Sequence, residues 1–290
     1  MTESIAILGG NGVYARHLIP RLVAGGHRVI ALVRRPEAAG FAHSCGAEVR
    51  IADIFDTASL AAGLAGCSIG INLATSLPGP SGRGDFDAND RVRTEGAANW
   101  VTACAASGVS RVLQQSIGMI CASGDERWTD ESHVFPATPD AVTGRAFLAM
   151  QATEQIITVS PLDWIILRGG LFYGPGTGFD DGWIGRAAAG KLRLPGDGSA
   201  YVSLCHIEDM AAATVAAIER WSSRETLIVC DDAPATWTDL FGHVASIAGG
   251  PAPLPGGLTG FPSFRLRNDR AKEKLGWRPF YRSYHMGLAR

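Results

Sequence analysis

Long apolar runs are missing from this sequence: nothing in its 290 residues approaches the roughly 18 apolar residues that a membrane-spanning helix requires. The N-terminus also lacks the basic, apolar and small-residue segments of a signal peptide and enters an apolar strand pattern at Ser4, so a soluble cytoplasmic protein is expected. Strong charge of either sign is absent too. A formal net charge of −2 provides no basic field for nucleic acid and no acidic tail. The six cysteines, Cys45, Cys67, Cys104, Cys121, Cys205 and Cys230, form no CxxC pair and no His/Cys cluster, which predicts free thiols and no metal site. Lysine is nearly lacking: Lys191, Lys272 and Lys274 are the only ones in the chain. What is abundant is apolar residues, 46% of the total, ample for the core of one large globular domain or two small ones.

Residues 4–35 carry the most information. Ser4 to Leu8 is a short apolar run that predicts a strand, and Gly9, Gly10 and Gly12 follow it directly, where the chain must turn sharply and let a pyrophosphate approach the backbone. Ala15 supplies the third small position, so that the helix predicted over 13–24 can pack close to the strand. That helix directs its free N-terminal N–H groups and positive dipole end at the turn. Gly25-Gly26 ends it, and Val29 to Val33 is a second apolar strand. A strand, a glycine turn, a helix and a second strand in this order make the opening of a dinucleotide-binding domain. At the end of the second strand an NAD-selective site would carry Asp or Glu for the ribose hydroxyls. Here stand Arg34 and Arg35, whose guanidinium groups suit a 2′-phosphate, so NADP(H) is the expected cofactor.

Further strands are predicted over 48–52, 68–73, 111–115 and 162–167, alternating with helices over 57–64, 87–107 and 140–160. This alternation predicts an α/β fold, a doubly wound parallel sheet of the Rossmann type with helices on both faces. Past Arg168 a run of glycines and short elements breaks the pattern and predicts a small C-terminal mixed α/β lobe. The expected division is a dinucleotide-binding domain over 1–168, to which 204–231 returns, and a substrate-binding lobe over 169–203 and 232–290.

With these pieces in order, the chain resembles the extended short-chain dehydrogenase/reductases, including the NAD(P)-dependent epimerase/dehydratase group. The resemblance spans nearly the whole length. It rests on Gly9-Gly10-Asn11-Gly12 and Asp53, on NDRVRTEGAANW with Asn89, Thr94, Gly96 and Asn99, on LDWIILRGGLFYGPG with Arg168 and Tyr173, on HIEDMA from His206, and on KLGWRP around Trp277. The resemblance implies cofactor contacts from Gly9, Gly10, Asn11, Gly12 and Val13 at the turn, and from Arg34 and Arg35 at the selecting position. It further implies contacts from Asp53 and Ile54 beside the adenine, from Ala74 and Thr75 after the fourth strand, and from Gly169 and Leu171 beside the nicotinamide. Ser116 is also placed near the nicotinamide.

The chain departs from that family where the family's chemistry resides. Those enzymes hold a Tyr and a Lys four residues apart on one helix, the Lys lowering the Tyr pKa so that it can exchange a proton. The matching positions here are Ala146 and Met150. No realignment restores the pair, because none of the five tyrosines has Lys four residues later. Tyr173 and Ser116 are therefore the candidate proton donors. Tyr173, with no Lys beside it, is expected to keep an ordinary phenol pKa of about 10; its competing reading is packing between lobes, and that of Ser116 is a turn hydroxyl. Asp125, Glu126, Asp130, Glu131 and His133 form a loop cluster, read either as solvated charge or as holding a catalytic acid. Trp128, Phe172, Phe179 and Trp183 are expected to line a substrate cleft, which favours a small apolar or aromatic substrate over a nucleotide-sugar.

The expected function is an NADP(H)-dependent reductase acting on such a substrate, with a carbonyl or enone as the reduced group. The alternatives are an epimerase, dehydratase, isomerase or cyclase that retains NADP with no net redox change, and a non-catalytic NADP redox sensor. The expected partner is a small molecule, with neither nucleic acid nor membrane, and the chain is expected to act as a monomer or homodimer.

Overall fold

A computed structural model describes residues 2–77, 85–137, 142–257 and 260–288. Its strands β1 (Ser4–Leu8), β2 (Arg28–Val33), β3 (Glu48–Ile51), β4 (Ile69–Asn72), β5 (Arg111–Ile117), β6 (Asp163–Gly169) and β7 (Glu225–Val229) form one sheet in the order β7-β6-β5-β4-β1-β2-β3. β1 pairs in parallel with β2 on one side and β4 on the other. The strand order therefore reverses at β1, and in a doubly wound sheet ligands bind at the carboxyl ends of the strands at such a point. The helices α1 (Val13–Ala24), α2 (Thr57–Leu64), α3 (Phe86–Arg91), α4 (Ala97–Ala106), α5 (Val142–Thr158) and α6 (Ile207–Glu219) alternate with the strands. The expected doubly wound α/β sheet is thus the observed one.

The residues form these elements for plain reasons. Ile5, Ala6, Ile7 and Leu8 are all buried, as continuous apolar strands of a two-sided parallel sheet should be. α1 buries Tyr14, Ala15, Leu18, Ile19 and Leu22, one stripe at helical spacing. The carboxylate of Asp56 caps α2 by accepting from the N–H groups of Ala58 and Ser59, a contact worth about 1 kcal/mol. Gly70 in β4 exists for Trp100: a Cβ there would stand 2.7 Å from the indole, and Trp100 is fully buried in the core with Leu60, Leu64 and Ile157.

The helix predicted over 87–107 is interrupted. Between α3 and α4 the backbone takes a π turn, Val92–Gly96. Each π turn adds a residue to the helical register. Here it lets Val92, Arg93 and Gly96 all be buried, with Gly96 close enough to Ile54 that a Cβ would come within 2.7 Å of its Cδ1.

The described chain divides into two compact units, one of Met1–Ser116, Ala137–Leu167 and Thr214–Thr226, the other of Ile117–Pro136, Arg168–Ala213 and Leu227–Arg290. Residues 117–136, expected in the dinucleotide-binding half, group with the second unit. The reason is local hydrogen bonding: Trp128–Thr129 pairs with Arg265–Leu266, and Gly124 N donates to the Ser263 carbonyl. The second unit also joins Leu171–Tyr173 in parallel to Leu204–His206, and packs Trp183 against Trp237 and Phe241.

Candidate functional site

The first unit holds a cleft at the carboxyl ends of β1, β2 and β4, lined by Gly9, Asn11 and Gly12 from the glycine turn, by Arg34 and Arg35, by Ile54 and Phe55, and by Leu73 to Ser76 with Ala88 and Val92. Three glycines shape its floor, each for a different reason. Gly9 takes φ +80°, and a Cβ on it would lie 3.0 Å from the Leu73 backbone. Gly10 faces the sheet instead, where a Cβ would fall 2.7 Å from that of Ala31. Gly12 caps α1 in extended conformation, and among the described residues its added Cβ would meet within 4 Å only the Gly9 carbonyl oxygen, at 3.2 Å. That open side, above helix N–H groups without intrahelical acceptors, is a cradle for a pyrophosphate.

Arg34 and Arg35 are exposed and line the same cleft. Among the described residues neither guanidinium is held in an ion pair or hydrogen bond. Asp53 turns inward to its own loop, its carboxylate accepting from Phe55 N at 3.0 Å. Phe55 was not anticipated from sequence; it lines the cleft with Arg91 stacked over its ring at 4.7 Å. Another feature missed by sequence reasoning is a chain of buried amides beneath the cleft. Gln115 Nε2 donates to the Ser116 carbonyl, Gln114 Nε2 to the Gln115 carbonyl, and Asn72 Nδ2 to Gln114 Oε1. Asn72 Oδ1 in turn accepts from Ala74 N and so fixes the cleft wall. Strand patterning marks such positions only as polar residues inside apolar runs. Gly10 and Val13 belong to the turn and helix start without lining the cleft. The set fits a dinucleotide through its cradle, its free N–H groups and its two unpaired cations.

Ser116, at the end of β5, is fully buried, and its hydroxyl donates to Glu154 Oε1 on α5 at 2.5 Å. On the same helix Met150 is buried and the Ala146 carbonyl accepts from Arg93 Nη1 at 3.0 Å.

In the second unit Tyr173 is fully buried. Its hydroxyl donates to Asp231 Oδ2 at 3.0 Å and its ring meets His206 edge-on. Gly287 sits so close that a Cβ there would lie 2.4 Å from the phenol. Burial, with the Asp231 carboxylate next in weight, drives the phenol pKa far above its ordinary value, contrary to the ordinary value expected from sequence. Burial likewise raises the Asp231 carboxyl. Gly169 leaves room for the Phe172 ring, 2.5 Å from where its Cβ would stand, and Leu171 is buried. Of the four aromatics expected to line a substrate cleft, three have ring contacts that can be described. Phe179 packs on Trp183 at 5.7 Å, whereas Trp128 lies under the guanidinium groups of Arg265 and Arg267, at 4.4 and 5.3 Å. Of the loop acids, Asp125 binds Arg127, Asp130 accepts from Ser132, and Glu131 accepts from Ile228 N. Burial raises the Glu131 carboxyl.

Residues 9–188 match the family model described as NAD(P)H-binding, and the chain belongs to that family. Among curated proteins it is 32% identical to a 3-diazoavenalumate denitrifying reductase from a Streptomyces species, over 99% of each chain. It is 26% identical to a 4-hydroxy-2-methyl-3-oxo-4-farnesyl-3,4-dihydroquinoline-1-oxide ketoreductase of Stigmatella aurantiaca, over 79% of this chain and 68% of that one. Among solved structures, a UDP-glucose 4-epimerase of Thermotoga maritima with UDP-glucose superimposes with a TM-score of 0.81 at 20% identity, covering 98% of this chain and 96% of that one. The Bordetella bronchiseptica enzyme WbmG, in complex with NAD and UDP, gives 0.80 at 17% identity over 99% and 93%. These two establish the shared fold. No helix of the described residues is long and apolar enough to cross a membrane.

Proposed function

We propose that the protein is an NADPH-dependent reductase whose acceptor needs no proton from the protein, with a carboxylate-bearing arenediazonium as substrate. What supports this reading is the sequence of α5, which by the resemblance carries Ala146 and Met150 where the extended short-chain dehydrogenase/reductases hold their proton-transfer pair. The end-to-end likeness to a denitrifying reductase supports it. When bound, NADPH supplies a hydride. A diazonium carbon that accepted hydride would gain a C–H bond as its C–N bond broke, the bonding pair leaving with N2, so a hydride donor alone would suffice. Charge and atoms balance with no proton taken up. A ketone differs, because its alkoxide must be protonated.

In this reading the glycine turn with Asn11, Val13 and the first turn of α1 holds the pyrophosphate, and Arg34 and Arg35 hold the 2′-phosphate by charge-assisted hydrogen bonds. Ile54 and Phe55 bound the adenine, and Ala74 and Thr75 allow the nicotinamide half to lie against backbone. Ser116, bonded to Glu154, fixes the end of β5. Tyr173 serves the framework of its own unit, with its hydroxyl committed to Asp231. Gly169 and Leu171 keep the loop before it compact.

Incubation with NADPH and 3-diazoavenalumate tests the reading. The expected result is NADPH oxidation matched one-to-one by N2 release. Product formation with NADPH unconsumed would replace the reading with a non-redox one.

A further inference from the structure

Three buried polar atoms on one short stretch of the first unit have no hydrogen-bond partner among the described residues: Asn89 Nδ2, Asp90 Oδ1 and Arg93 Nε. Asn89 is fully buried and Arg93 is 5% exposed. A guanidinium so enclosed ordinarily has a carboxylate against it. Arg93 has no ion pair among the described residues. Among the described residues its guanidinium donates to a neutral acceptor, the Ala146 carbonyl. Asp90, three residues earlier, attracts it without bonding it, and has its other oxygen 3.6 Å from Arg145. Burial pulls the Arg93 pKa down to about 10, so the side chain remains a cation at neutral pH.

The placement is specific. Ala88 and Val92 line the cofactor cleft, and Asn89 and Arg93 follow each of them by one residue. Asn89 Oδ1 accepts from Ser76 N at 3.0 Å, which leaves its Nδ2 as the spare donor, and Ser76 lines the cleft as well. Arg93 reaches α5 at the Ala146 carbonyl. Arg93 is buried within the π turn Val92–Gly96, and π turns are frequent at functional sites.

We infer that Arg93 and Asn89 form an anion-binding subsite that takes the carboxylate of the substrate, the free guanidinium N–H and the free amide N–H being its donors. The inference rests on the reductase reading only for treating the anion as substrate. A carboxylate held there would supply the negative partner that the buried cation lacks. It would also orient the opposite, electrophilic end of an elongated acid.

Titration calorimetry of the NADP+-loaded protein with 4-hydroxycinnamate and with its uncharged amide provides the test. The unmodified protein is expected to bind the acid at least about tenfold more tightly than the amide. Arg93→Met should lose that preference while keeping its NADP+ affinity and circular dichroism, and Arg93→Lys, which retains the charge, should keep part of it. Equal binding of acid and amide by the unmodified protein, binding of neither up to about 10 mM, or an undiminished preference in Arg93→Met would overturn the subsite. So would a loss of NADP+ affinity in Arg93→Met with the acid preference intact, which would assign the guanidinium to the cofactor. Because binding is the readout, a protein that releases no N2 can still pass this test, and one that releases N2 can still fail it.

Discussion

Gly12 shows how one atom separates folding from binding. Among the described residues a side chain there would meet only the Gly9 carbonyl oxygen, at 3.2 Å, yet it would stand where a pyrophosphate is proposed to lie. Gly12→Val is therefore expected to keep its far-UV circular dichroism and to lose NADPH affinity by about 100-fold or more. Retained affinity in a titration would mean the turn has another use. Arg34 and Arg35 give the second residue-scale prediction. They line the cleft with no protein partner among the described residues, so their charge is available to a phosphate. Replacing both by alanine should weaken NADPH by at least about tenfold and leave NADH unchanged. Equal loss of both cofactors would show a general electrostatic effect instead. Tyr173 gives the third. Removing its hydroxyl leaves the buried Asp231 oxygen without that donor, so Tyr173→Phe should lower stability by about 1–3 kcal/mol in denaturant titration. Turnover should stay within about twofold; a fall of about 100-fold would return the phenol to the chemistry as a general acid.

At the scale of elements, α5 and the π turn matter most. α5 is a regular helix from Val142 to Thr158, and it carries Ala146 and Met150 where the resemblance to the extended short-chain dehydrogenase/reductases would put a Tyr and a Lys. The π turn was not legible in the sequence. Its residues, VRTEG, carry ordinary helical patterning, and the close approach of Gly96 to Ile54 is a tertiary contact that no local signal marks. Nor could sequence show that Tyr173 would be sealed by Gly287, 114 positions away, since burial of this kind is set by tertiary contacts. From α5 follows a pH prediction. Without a poised phenol the rate of the reductive step should be flat between about pH 6 and pH 9. A sigmoid with a midpoint in that range would reveal a protein group that gives or takes a proton.

For the molecule as a whole, the doubly wound sheet could be read from the alternation of apolar runs and helical stretches because each strand of a buried parallel sheet is itself an apolar run. The cofactor cleft could be read because its glycines answer to backbone geometry. The second unit was read least well. Its strand pairs are two to four residues long, too short for periodicity, and its aromatics scatter between a cluster around Trp183 and a separate stack around Trp128. The claim uniting both scales is that hydride, and no proton from the protein, completes the product. The most direct test is mass spectrometry of the product made from a carboxylate-bearing arenediazonium with NADPH deuterated at the transferred position. The account predicts a single deuterium at the carbon that lost nitrogen, and none when unlabelled NADPH is used in D2O. Deuterium arriving from the solvent, or absent with labelled NADPH, would contradict it.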